Sequence, residues 1–127
     1  MRRAVPCAVV VLASSGCAGR TESPQADVRG TVQTFLSQCA QGHGERVLET
    51  LVPAGRLAFA DGGSTLRGCA RILRLRPAPS AADYAGASVA LRSFDGGQAG
   101  AIVSIGGRRA AVELSRGVEW WLISGPS

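Results

Sequence analysis

Short glycine turns punctuate the last third of this chain at nearly even spacing, and they constrain its fold more than any other feature. Asp95-Gly96-Gly97, Gly106-Gly107 and Arg116-Gly117 separate runs rich in apolar residues. Compact glycine-containing connections match the twist of adjoining antiparallel strands. The runs between them predict four strands, over Tyr84–Phe94, Gln98–Ile105, Ala110–Ser115 and Val118–Ser124. In the third, Ala110, Val112 and Leu114 alternate with Ala111, Glu113 and Ser115, which gives one packed face and one wetter face. In the fourth both faces are largely apolar, and the Trp120-Trp121 pair splits across the sheet, with core on one side and a helix-packed surface on the other; one ring lining a pocket or covering a partner contact is the alternative.

Upstream the hydrophobic period changes. Val28, Val32, Phe35, Leu36 and Cys39 fall at i, i+4, i+7, i+8 and i+11, the stripe of an amphipathic helix over Gln25–Ala40 that starts behind Ser23-Pro24 and is broken by Gly42-His43-Gly44. A short helix over Glu45–Leu51 and one more turn over Ala54–Ala60 follow. After the Asp61-Gly62-Gly63-Ser64 loop, Leu66, Cys69, Ile72 and Leu73 mark the inner face of a helix reaching Leu75. Arg76-Pro77-Ala78-Pro79-Ser80 ends the helical half. Helices followed by a meander form an α+β fold, with N-terminal helices packed on a curved antiparallel four-stranded sheet that leaves a cone-shaped interior.

The amino-terminal residues read as an export signal. Arg2-Arg3, a short apolar run and small residues precede Cys17, and Leu12-Ala13-Ser14-Ser15-Gly16-Cys17 resembles a bacterial lipobox. Ser14 departs from that motif, which usually has Leu or Val there. The apolar run is far below the roughly 20 residues that span a bilayer. The expected organisation is a lipoprotein signal peptide over 1–16, a lipidated tether over 17–24 with the lipid on Cys17, and one domain over 25–127. The mature protein is then expected on the extracytoplasmic face of the cell membrane. The alternative is cleavage after Ala18 and a secreted, non-lipidated structural or dimerising domain.

Four cysteines reduce to two once Cys7 leaves with the signal and Cys17 carries lipid. Cys39 and Cys69 sit on the buried stripes of two separate helices in an oxidising compartment, so a disulfide between them is expected. Two buried free thiols are the alternative. All 14 basic residues are arginine, and with abundant alanine and glycine this is the coding signature of a GC-rich genome. Without Arg2 and Arg3 the net charge falls from +5 to about +3, too little to argue for nucleic-acid binding by an exported chain. Arg67, Arg71, Arg74 and Arg76 form the densest basic run. It reads as a solvated helix face, with contact to anionic lipid headgroups as the alternative.

Two stretches carry a family resemblance. The helix–break–helix of Val32-Gln-Thr-Phe-Leu-Ser-Gln-Cys-Ala-Gln-Gly-His-Gly-Glu-Arg-Val-Leu and the terminal Val118-Glu-Trp-Trp-Leu-Ile-Ser-Gly together resemble the nuclear transport factor 2-like (SnoaL-like) superfamily. More closely, they resemble small actinobacterial lipoproteins of that fold with one cysteine in the first helix and another after the second. Function in that superfamily ranges from isomerases to carriers and structural partners, so the resemblance implies a fold before an activity.

Enzymatic members use an Asp or an Asp–His pair with a Tyr inside the cone. The candidates here are His43, Asp61, Asp83 and Tyr84, none of which matches the family motif, and no catalytic residue, metal ligand or cofactor is assigned. His43 is the sole histidine and no Cys-x-x-Cys is present, so the metal-site spacings are missing. Phe35, Tyr84, Trp120 and Trp121 are the candidate pocket residues. The expected role is a non-catalytic binding or accessory module, held on the membrane by its lipid and meeting a protein partner, a small apolar ligand or a second copy of itself. A SnoaL-like enzyme acting on a hydrophobic small molecule is the alternative.

Overall fold

The computed structural model describes residues 24–118 and 120–126. The signal, the lipobox and nearly all of the tether lie outside the described residues. Among the described residues five helices precede a four-stranded antiparallel sheet, an α+β arrangement.

Helix α1 (Pro24–Gln41) buries Val28, Val32, Phe35, Leu36 and Cys39, the stripe expected from their spacing. It ends where Gly42 takes a left-handed conformation, φ 75°. This turns the His43 N–H back to the Gln38 carbonyl at 3.0 Å. Helix α2 (Gly44–Leu48) is shorter than the expected Glu45–Leu51. The chain leaves it early because Thr50, Leu51 and Val52 turn to meet the sheet. The Ile123 N–H donates to the Thr50 carbonyl at 2.7 Å and the Val52 N–H donates to the Ile123 carbonyl at 3.0 Å, a one-residue parallel bridge.

Helix α3 (Pro53–Ala60) opens on proline, whose missing N–H costs nothing in the first turn. Helix α4 (Thr65–Leu73) is capped by Ser64, whose hydroxyl accepts from the Arg67 N–H at 3.3 Å. It closes on Arg74 in the left-handed region, φ 56° and ψ 43°. A side chain there costs about 1 kcal/mol relative to glycine. The disulfide Cys39–Cys69 joins α4 to α1.

Tyr84 does not begin a strand. It lies in α5 (Ala81–Ala85), nucleated by a capping box in which the Asp83 N–H donates to Ser80 Oγ at 3.1 Å and the Ser80 N–H donates to Asp83 Oδ2 at 3.3 Å. The first strand, β1, runs from Ser88 to Asp95. It is followed by β2 (Gln98–Ile105), β3 (Arg108–Arg116) and β4 (Trp121–Pro126) in sequential order, and the sheet is not closed. Gly106 and Gly107 both have positive φ, as a two-residue hairpin turn of this kind requires.

A bulge at Arg92 lets Val89, Leu91 and Phe94 share the inner face of β1 despite their uneven spacing. Inner rows such as Leu91, Ala101 and Val112 run across the strands in register. The small side chains of Ala99, Ala101 and Ala110 are buried in the same core as the large Phe35 and Trp121. The outer face carries the row Ala90, Ile102 and Ala111, and the Arg92–Glu113 ion pair at 3.6 Å.

Candidate functional site

The pocket candidates have different surroundings. Phe35 is fully buried in the core. Tyr84 is buried too, and its hydroxyl donates to the Leu66 carbonyl at 3.1 Å. Desolvation raises the Tyr84 phenol well above its ordinary range, an effect partly offset by the positive charge of Arg108. Trp121 packs against Phe94 with ring centroids 5.5 Å apart and lies under the Arg116 guanidinium at 5.9 Å. Trp120 alone of the four faces solvent, 55 % exposed.

Trp120 is held out by the turn that precedes β4. The Gly117 N–H donates to the Trp120 carbonyl at 2.8 Å, and a β-carbon on Gly117 would stand only 2.7 Å from that oxygen. The turn is therefore tight enough to require glycine at 117. Strand β4 starts at Trp121, not at Val118, and Val118 is completely exposed.

The indole of Trp120 forms a ridge between two hollows of about 350 Å³ each. One is walled by Asp27, Thr31 and Thr34 of α1, by the Glu49–Thr50 turn and by Trp121. The other is walled by Glu49, Arg56, Val118 and Leu122. The Thr31 hydroxyl donates to the Trp121 carbonyl at 3.3 Å, which fixes the middle of α1 against the start of β4. Arg56 Nε donates to the Leu48 and Leu51 carbonyls at 3.1 and 3.2 Å, fixing the second wall. Trp121 Nε1 is buried with no hydrogen-bond partner among the described residues.

The residues considered for acid–base chemistry are dispersed. His43 is exposed at the α1–α2 break, with Nδ1 2.9 Å from Gln38 Oε1. Asp61 caps the end of α3, and Asp83 serves the capping box of α5. The structure brings no two of these side chains to one hollow. Among the described residues, no group of three or more His, Cys, Asp or Glu side chains is placed to hold a metal ion, and no helix is long and apolar enough to cross a membrane.

The tryptophans stand out in the sequence but the walls do not. Glu49 lines both hollows, beside Asp27 in one and Arg56 in the other, because of the turn at Glu49–Thr50 and its bridge to β4, which leave no periodic signal. No family model, curated protein or solved structure matches the chain.

Proposed function

We propose that this chain is an exported lipoprotein, cleaved before Cys17 and acylated there, whose nuclear transport factor 2-like domain serves as a non-catalytic binding module for a protein partner. The observation that carries the partner reading is the Trp120 ridge. An exposed indole beside a fully exposed valine, with a hollow on either side, is the anchor-and-pocket arrangement that dominates protein interfaces. The buried Cys39–Cys69 bridge supports export, since such bonds persist in oxidising compartments. With Cys7 inside the expected signal, Cys17 is the remaining cysteine, and this reading acylates it. The helices-then-meander order, with α1 packed on the inner face of an open sheet, supports the family reading.

The test is a photo-crosslinking amino acid placed at position 120 in the native host, with position 109 on β3 as control. The expected result is a discrete adduct from 120 in the membrane fraction that the control does not give. Equal labelling from both positions contradicts the partner role. Cys17→Ser tests the anchor separately by moving the protein out of the membrane fraction.

A self-pairing role would use a different surface, the outer row of Ala90, Ile102 and Ala111, whose side chains are small or apolar. A mass on gel filtration that rises with concentration would favour it over a foreign partner.

A further inference from the structure

We propose that a concavity beside α4 is a binding site for a phosphate-bearing anion. It has a volume of about 820 Å³, and Arg67, Arg71, Arg74 and Arg76 all line it. On α4 and its cap, positions 67, 71 and 74 follow i, i+4, i+7 spacing, opposite the buried Cys69, Ile72 and Leu73. Like charges so spaced repel one another across the helix surface. Asp61 is the single carboxylate on the lining. Among the described residues no carboxylate lies within ion-pair distance of these four guanidinium groups.

The frame is built before any ligand arrives. The Cys39–Cys69 bond fastens α4 to α1. Arg71 Nε donates to the Ala58 carbonyl at 3.1 Å, which aims its terminal nitrogens. Arg108 Nη1 donates to the Pro77 carbonyl at 2.9 Å and steadies the segment that carries Arg76. Arg74 is the most telling member. It occupies a left-handed position where glycine would relieve the backbone, yet the chain places a guanidinium there. Two carbonyls at this helix end already accept bonds, Ala70 from the Leu75 N–H at 3.0 Å and Arg71 from the Arg74 N–H at 3.2 Å.

A solvated helix face accounts for each arginine singly. It does not account for four of them around one concavity, one at a backbone position that disfavours any side chain. Guanidinium forks match phosphate oxygens in geometry and charge, and the apolar Leu75 and Ala78 on the same lining suit the group attached to a phosphate. The phosphate can come from an anionic phospholipid headgroup or from a soluble phosphate compound. Neither source depends on acylation of Cys17.

The experiment uses the full chain as Cys17→Ser, with its disulfide formed and no acyl chain to mask lipid binding. Pyrophosphate is titrated while the arginine Nε–H resonances are followed, and sedimentation is measured with phosphatidylglycerol and with phosphatidylcholine vesicles. Saturable shifts at the four arginines, or sedimentation with phosphatidylglycerol alone, support the site. The first outcome identifies a soluble phosphate source and the second a headgroup. Arg74→Gly is expected to weaken whichever interaction is found about tenfold without lowering Tm, while Arg46→Gln on α2 leaves it unchanged. Absence of both interactions overturns the proposal, as does equal weakening by the two variants. Because the acyl chain is removed throughout, failure here is distinct from failure of the membrane anchor.

Discussion

Cys39 of α1 is bonded to Cys69 of α4 across 6.3 Å between Cα atoms, with both side chains fully buried. The bond closes a loop of 30 residues in sequence separation. Limiting the unfolded chain in this way contributes about 3–4 kcal/mol in the loop-entropy treatment. Urea unfolding with and without reductant is expected to differ by that amount. A Cys39→Ala/Cys69→Ala double variant should match the reduced protein and lose its sensitivity to reductant.

Gly68 fixes the contact between α3 and α4. A β-carbon there would lie 2.5 Å from the Phe59 carbonyl oxygen and 2.6 Å from its ring, so the helices must part to admit even a methyl group. Gly68→Ala is expected to cost about 2 kcal/mol or more, read by thermal or urea unfolding. Gly30→Ala on α1, where a β-carbon meets nothing within 4 Å, is the matched control and should be neutral or slightly stabilising.

Tyr84 ties stability to alkaline pH. Burial raises its phenol above the unfolded value of 10.0, so below that pH both states hold the proton and stability is at its full value. As pH rises past 10.0 the unfolded chain releases its proton while the folded one retains it, and stability falls. Tyr84→Phe removes this alkaline decline. At neutral pH the same variant loses the bond to the Leu66 carbonyl, about 1 kcal/mol. Urea melts of both proteins between neutral and alkaline pH measure the two effects separately.

The two tryptophans differ in role and in spectroscopy. Trp121 is 1 % exposed and Trp120 is 55 % exposed. A Trp120→Phe protein should fluoresce at short wavelength and resist acrylamide. A Trp121→Phe protein should fluoresce at longer wavelength and be quenched readily. Truncating Trp121 to alanine is expected to cost about 3–5 kcal/mol, whereas Trp120→Ala should leave stability nearly unchanged.

Much of this fold was legible before the structure, where periodicity is strong. The α1 stripe, the buried face of α4 and the alternation in β3 each follow from side chains that must reach one core. The disulfide followed because both cysteines lie on such stripes. What escaped was local. Ser80-Ala-Ala-Asp83 is a cap signal directly after Pro79, but α5 is so short that its residues read as the start of a strand. The Thr50–Val52 bridge to Ile123 and the outward turn at Val118 and Trp120 depend on two backbone hydrogen bonds and one respectively, which a pattern of residue types does not record. The arginine spacing was visible, but their gathering around a concavity needed the Arg74 cap and the segment beyond it.

The protein proposed above is an exported, acylated domain stapled through one pair of cysteines. The intact mass of the protein extracted from its own host's membranes, alkylated without prior reduction, tests this. The expected chain begins at Cys17, carries acyl groups there and takes up no alkylating agent at Cys39 or Cys69. A chain that retains residues 1–16, or one found unacylated in the culture fluid, would contradict it.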